Sequence, residues 1–429
     1  MENKRMGIVS LLAMVLLLSG SVYAQEEGAA EQEQSVGEDT AQQQQPVPQA
    51  SEPSDVPTEE VEERVAEGDD GTITIGGALR YNFLVGYFED DDLTANDIQW
   101  TWDTWRLNVS GQKQGFLFDF EYRFYPSFDI HFIHHGWAGY RWNNNTQLEV
   151  GVTQVPFGDL TYASHSYWFS TAYYVGLEDD YDMGIKLTHR WKSFDLALAY
   201  FLQAEPRGLA SGGAVPAASR YSYDIVPGEA QSYEEKNQFN LRGAYVIDMG
   251  YFGNIEFGLS GQYGQIYNDN LGDDAWSNRY AGAVHLDATV GQINLKAHTI
   301  LYNFDAQDAG GDDIEAITMG AYGDTYLVAS QAALYTVGLA YTLPFDIGPA
   351  TVTFYDDYTY MAKDNDDFEN TQQNVFGASI AAGPIFTYVD LIAAYNHPWI
   401  TDGRVPDLAA GAADPEWNYR FNINLGYYF

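Results

Sequence analysis

Residues 417–429 alternate without a break: Trp417, Tyr419, Phe421, Ile423, Leu425, Tyr427 and Phe429 are large and apolar, and Asn418, Arg420, Asn422, Asn424, Gly426 and Tyr428 fall between them. A strand turns successive side chains to opposite faces, so this segment has one continuous apolar face and one mostly polar face. Seven large apolar residues in register are more than the last strand of a soluble sandwich usually carries. They are what a strand with its outer face in lipid requires.

The other end of the chain agrees. Lys4 and Arg5, an apolar run over 7–18 and the small-x-small triplet Val22-Tyr23-Ala24 before Gln25 have the form of a secretory signal over 1–24. The apolar run is too short to span a bilayer, which takes about 20 residues as a helix. Aspartates, glycines and asparagines interrupt every later apolar stretch, so no second helical span is expected. An exported chain without one is either soluble or a barrel, and 15% aromatic residues with 41 glycines fit the girdles and tight turns of a barrel.

Cysteine is absent, which removes disulfides and thiolate metal sites. A net charge of −41 argues against nucleic acid, whose phosphates it would repel. That charge is unevenly spread. Residues 25–70 hold fifteen acids against the single base Arg64, together with four consecutive glutamines and four prolines. Such a segment buries too little apolar surface to offset its ordering entropy and reads as a disordered periplasmic extension. Residues 71–429 carry seventeen bases and forty-five acids.

From residue 71 onward, period-2 segments come in pairs. Strands are expected near 72–88, 103–112, 115–125, 130–142, 146–155, 183–192, 193–203, 237–248, 251–266, 278–289, 291–303, 331–343, 349–361, 373–383, 385–396 and 416–429, sixteen in all. In the first, Ile73, Ile75, Leu79, Tyr81, Phe83, Val85 and Tyr87 mark the apolar face, and in the seventh Phe194, Leu196, Leu198, Tyr200 and Leu202 do so. The connections alternate between short turns such as 191–193, 248–250 and 383–384 and long ones such as 204–236, 304–330 and 397–415. The fold class expected over 71–429 is therefore all-β: a transmembrane antiparallel β-barrel of about 16 strands, of a size that encloses a water-filled channel. Passive diffusion of small hydrophilic solutes and ions would follow.

Residues 159–182 form a connection with seven aromatics, more than a loop left in solvent would carry. Folded inward it would narrow the lumen, with Tyr167, Trp168, Tyr173, Glu178, Asp179, Asp180 and Asp182 as candidate constriction residues. Gly151-Val-Thr-Gln-Val-Pro-Phe-Gly158, preceded by Trp105-Arg-Leu-Asn-Val-Ser-Gly111 and Phe116-Leu-Phe-Asp-Phe-Glu-Tyr122, resembles the phosphate-selective porin O/P family. The resemblance is strongest over 71–192. It implies a trimeric outer-membrane barrel of a Gram-negative bacterium, an inward third loop and a general diffusion or anion channel. Outer-membrane lipid, lipopolysaccharide and the barrel assembly machinery are the expected partners, and Tyr427 and Phe429 resemble an assembly signal.

The charges themselves point to the opposite sign. Phosphate selectivity needs cationic donors at the narrow point. The presumed constriction has no Lys or Arg and ends on Glu178, Asp179, Asp180 and Asp182. Arg80, Arg106, Arg123, Lys186, Arg190 and Arg242 are expected along one wall with Asp119, Glu121 and Glu149 facing them. A weak cation preference is the result; an anion or phosphate channel and a carbohydrate channel are the alternatives, the last because Tyr162, Tyr167, Trp168, Tyr173 and Tyr174 could stack sugars. His131, His134 and His135 lie close together, and strand register puts His131 and His135 on one face. No metal or cofactor is expected from them. Asp364, Asp366, Asp367 and Glu369 have the ligand type for Ca²⁺ without EF-hand spacing, so a loop-bound ion is a secondary expectation. A barrel enzyme would need a nucleophile or acid pair beside a histidine, and no G-x-S-x-G occurs. A structural anchor acting through the acidic extension is the remaining class.

Overall fold

The computed structural model describes residues 71–87, 98–160, 162–210, 215–228, 232–269, 271, 276–308, 310–401 and 405–429. The expected signal at 1–24 and the expected extension at 25–70 lie outside the described residues. The strands in chain order are β1 (Thr72–Tyr87), β2 (Ile98–Lys113), β3 (Phe116–Tyr125), β4 (Ile130–Asn143), β5 (Thr146–Gln154), β6 (Tyr181–Trp191), β7 (Phe194–Ala204), β8 (Leu209–Ala210), β9 (Asp224–Ile225), β10 (Tyr233–Asp248), β11 (Gly253–Asn268), β12 (Trp276–Val290), β13 (Ile293–Asp305), β14 (Ala316–Ala321), β15 (Asp324–Ala329), β16 (Gln331–Thr342), β17 (Thr351–Lys363), β18 (Thr371–Ala382), β19 (Ile385–Tyr395) and β20 (Trp417–Tyr428).

Sixteen of these, β1–β7, β10–β13 and β16–β20, pair antiparallel with their neighbours in chain order. β20 then pairs with β1, from Ala78↔Tyr428 to Tyr87↔Tyr419, and the sheet closes on itself. Closure leaves no strand edge among the sixteen, as a sheet in hydrocarbon requires. Each period-2 segment of the sequence becomes one of these strands. The largest shift is at β2, which starts at Ile98 and not at 103.

Burial is inverted relative to a soluble protein. Ile73, Ile75, Leu198, Leu241, Leu259, Leu301 and Phe376 are exposed, while Thr104, Asn240, Gln262, His298, Asp357 and Asn422 are buried. The apolar side chains form the outer face, far larger than the few hundred Å² of apolar patch a soluble monomer shows. Lipid is the solvent that suits it. Among the described residues no helix is long and apolar enough to cross a membrane.

Two departures from plain alternation matter. At Asp103 the β1–β2 register slips between Arg80↔Thr104 and Tyr81↔Trp102, leaving Asp103 as an extra residue. At His134 the β3–β4 register slips between Glu121↔His135 and Tyr122↔Ile133. A bulge inserts one residue and re-aims its neighbours. The expected sharing of a face by His131 and His135 is thereby overturned. His131 contacts the rings of Tyr122 and Phe124, whereas His134 and His135 lie side by side near Glu121.

The four short strands fall within connections that read as plain loops in the sequence. β8 adds to β4, and β9, β14 and β15 make a separate small sheet. Tyr322 and Gly323, at φ 53° and 80°, form the tight turn of the β14–β15 hairpin. Ile317, Met319 and Val328 of that hairpin pack with Tyr174, Val175, Tyr223 and Leu408 from other long connections, and with Phe132, Ile266 and Ile300 of the wall. Among the described residues the largest apolar core is thus long connections packed against one another and against the inner wall.

Candidate functional site

The segment between β5 and β6 leaves the wall at Val155-Pro156-Phe157-Gly158. Gly158 has φ +68°, and a Cβ there would stand 2.5 Å from the His298 ring. The Gly158 N–H donates to Ser260 Oγ (3.0 Å), and its carbonyl accepts from Arg242 Nε (2.8 Å). Lys296 Nζ then donates to Asp159 Oδ2 (2.9 Å) and to the Tyr162 carbonyl (2.7 Å). Farther along, the backbone N–H groups of His165 and Ser166 donate to Asp357 Oδ2 at 2.7 and 2.8 Å. Thr171 N–H donates to Thr359 Oγ1 (3.2 Å), and Gln373 Nε2 to the Phe169 carbonyl (3.1 Å). Asp357 and Thr359 lie on β17, halfway round the wall from β5. The partners are buried or half-buried side chains of wall strands from β10 round to β18, so the segment crosses the barrel interior.

The segment is also tied to itself. Glu178 accepts from Ala163 N–H (2.9 Å), Ser170 N–H (3.3 Å) and the Ser170 hydroxyl. Burial raises the Glu178 pKa to about 7 despite those donors. His165 sits between Asp357 Oδ1 (2.7 Å, from Nδ1) and Asn294 Oδ1 (2.6 Å, from Nε2). Burial opposes its charge, but Asp357 and Asn294 outweigh burial and its pKa is raised. Gly176, at φ +69°, turns the chain back toward β6 where a Cβ would meet the Tyr223 carbonyl oxygen at 2.1 Å.

Beside this segment lies a cavity of about 520 Å³. Its charged lining is Arg80, Arg106, Arg123 and Arg420 with Asp103 and Asp324. Its aromatic lining includes Tyr167, Trp168, Tyr173, Tyr221, Tyr223, Tyr322 and Trp399. Arg80 pairs with the bulged Asp103 (2.7 Å) and lies over the Tyr167 ring (5.1 Å). The Tyr167 hydroxyl donates to Asp103 Oδ1 (3.1 Å), and Asn424 Nδ2 donates to Oδ2 (3.1 Å). Arg123 pairs with Glu121 and lies over Tyr221 (4.7 Å). Guanidinium groups held over aromatic rings present planar donors to a passing solute.

Several expected residues take other places. Glu178, Asp179, Asp180 and Asp182 are buried and do not line this cavity. Glu178 staples its own segment, and Asp179 accepts from the Tyr221 hydroxyl and Gln154 Nε2 (3.1 Å). Glu121 and Glu149 do not face the cations across a lumen. Glu121 stands beside Arg123, two residues along β3 and on the same face, and Glu149 beside Lys186 (3.0 Å) on the adjoining strand. Asp119 approaches His135 (3.4 Å). Arg242 pairs with Glu256, and the exposed Arg190 with Asp195 (2.8 Å) near the short turn after β6. Asp364, Asp366, Asp367 and Glu369 are exposed. Tyr427 and Phe429 are exposed on the outer face, and Gly77 and Phe429 exchange backbone hydrogen bonds.

Sequence reasoning missed Asp103, Arg420 and the tyrosines of the later connections. The density Tyr221-Ser-Tyr223 was the one available signal for the last group.

No family model and no curated protein matches the chain. Solved structures do. OmpF of Salmonella typhi, in complex with daunomycin, superposes at a TM-score of 0.53 and 12% identity, covering 84% of this chain and 98% of that one. The fold is that of a porin. The outer membrane channel DcaP of Acinetobacter baumannii gives 0.52 and 12%, covering 85% and 99%. The anion-selective porin from Comamonas acidovorans gives 0.50 and 12%, covering 84% and 100%. A porin barrel supports a channel architecture; identities this low carry the fold and leave the solute to the lining.

Proposed function

We propose that this chain is an outer-membrane porin, a water-filled channel for passive diffusion of small hydrophilic solutes, with the segment between β5 and β6 as its constriction and a preference for anions at that point. The closed barrel with apolar residues outside and polar ones inside supports the channel. The preference rests on one observation: four arginines against two aspartates line the cavity beside the crossing segment. Charge at a narrow, partly desolvated point weighs more on a permeating ion than charge on distant loops. The same reading carries insertion by the barrel assembly machinery, contact with lipid and lipopolysaccharide, a homotrimer and a periplasmic N-terminal extension. Phosphate is a candidate solute within the anion class, because guanidinium forks match its oxygens.

A weak cation preference is the second reading. The excess of acids over 71–429, with Asp364, Asp366, Asp367 and Glu369 exposed on one connection, favours cations at the mouth. Reversal potential of the purified protein in a planar bilayer across a KCl gradient separates the two. An anion sign supports the arginine-lined constriction, a cation sign returns control to the loop acids, and failure to conduct removes the channel itself.

A further inference from the structure

Where the crossing segment rejoins the wall at β6, the chain buries an unusual concentration of carboxylates. Asp180, Asp182, Glu205, Asp224 and Glu235 are each at most 5% exposed. Two guanidinium groups reach them: Arg220 pairs with Asp224 and stands 3.7 Å from Glu205, and Arg279 pairs with Glu235. Five carboxylates against two arginines leave an excess of three negative charges if all are ionised. Three of the acids, Asp180, Asp182 and Asp224, bring an oxygen each to within 4.8 Å of one another. Oδ1 of Asp180 and Oδ1 of Asp182 are buried and receive no hydrogen bond from the protein. Asp182 Oδ2 is satisfied by Gln238 Nε2 (3.0 Å), which holds that side chain in place and leaves its other oxygen for a different partner. A buried carboxylate oxygen without a donor is costly unless a cation or a proton serves it.

We propose that Asp180, Asp182 and Asp224 bind a divalent cation of the calcium class, which ties the end of the crossing segment to the connection between β7 and β10. The donor set is all oxygen, the chemistry of a hard cation. Mg²⁺ dehydrates reluctantly and is usually held by one or two carboxylates with several waters, so three buried carboxylates suit the larger ion. Asp180 and Asp182 flank Tyr181 at the start of β6, and Asp224 opens β9, forty-two residues on from Asp182. An ion between them neutralises most of the excess charge and braces the root of the segment from outside the cavity. Without it, protons are the remaining neutralising agent for the buried carboxylates. The site does not depend on the selectivity argued above.

Isothermal titration of CaCl2 into the full-length protein, purified in detergent and stripped with EDTA, tests this, with thermal unfolding followed in parallel. Saturable binding at one site per chain and a higher unfolding temperature in Ca²⁺ are expected, with Mg²⁺ weaker. D180N and D182N should weaken Ca²⁺ on the order of tenfold or more, since loss of even an outer-shell partner costs about that much, and remove the calcium-dependent rise in unfolding temperature. D364N, in an exposed loop, should leave both unchanged. A folded barrel in each variant is checked by its altered gel mobility before boiling. No saturable binding, or binding that D180N and D182N leave intact, overturns the site. Stabilisation of D180N and D182N by the same margin with and without Ca²⁺, in the absence of calcium binding by the parent, assigns the cluster to protons and also overturns it.

Discussion

Glu178 and Asp103 are both buried acids, and they act through opposite kinds of partner. Glu178 is served by neutral donors of its own segment, Ala163 N–H, Ser170 N–H and the Ser170 hydroxyl. Its pKa rises from 4.5 to about 7, so the folded barrel holds this proton more tightly than the unfolded chain. An acid shifted upward lowers stability as pH rises from about 4.5 to about 7, by on the order of 3 kcal/mol for a shift of this size. E178Q keeps an oxygen acceptor and removes the proton, so its unfolding temperature should stay flatter over that window. A pH dependence identical to the parent's would place the titration elsewhere. Asp103 is instead paired with a cation, Arg80, on the cavity wall. D103N leaves the guanidinium in place with one negative charge fewer beside it, and reversal potential should move toward anions; an unchanged reversal potential would show that this wall does not face the permeation path.

At the scale of the element, the segment between β5 and β6 is shaped by two glycines and held by wall side chains. Gly158 turns it off β5 and Gly176 returns it to β6, each with positive φ and no room for a methyl group. Lys296, Asp357, Thr359 and Gln373 anchor the chain between them. G158A forces a Cβ toward His298 and adds backbone strain, together about 1–3 kcal/mol. Thermal unfolding should register that loss, and single-channel current should grow noisier as the segment loosens. Parent-like values in both measurements would mean that the segment is held without this turn. The bulges at Asp103 and His134 are element-scale features of the same kind. Each adds one residue to an otherwise regular ladder and brings side chains together that alternation would keep apart.

For the whole molecule, closure between β1 and β20 gives every one of the sixteen barrel strands two neighbours. The described residues within 71–429 therefore contain a complete hydrogen-bonded wall. Deleting 25–70 while retaining the signal should leave a barrel that inserts and shows altered mobility before boiling. Loss of that species would assign the extension a part in assembly.

The sixteen strands were legible because a lipid-facing wall writes its period of two into every segment, locally and without reference to distant residues. Strand ends were less sharp: Ile98 to Trp102 belong to β2 although the bulge at Asp103 breaks their alternation with the rest. The segment between β5 and β6 could be singled out by length and aromatic content. Which of its residues face the cavity could not, because its orientation is set by partners such as Asp357, 192 residues away from His165. The acids at 178–182 illustrate the difference. Their charge is written in the sequence, but Ser170, Gln154, Tyr221 and Gln238 turn them into protein. Four arginines and two aspartates from five strands meet at the cavity instead. Local alternation determined the barrel; contacts between residues far apart in the chain decided which charges a solute meets, because a side chain's direction outside a regular strand depends on what it packs against.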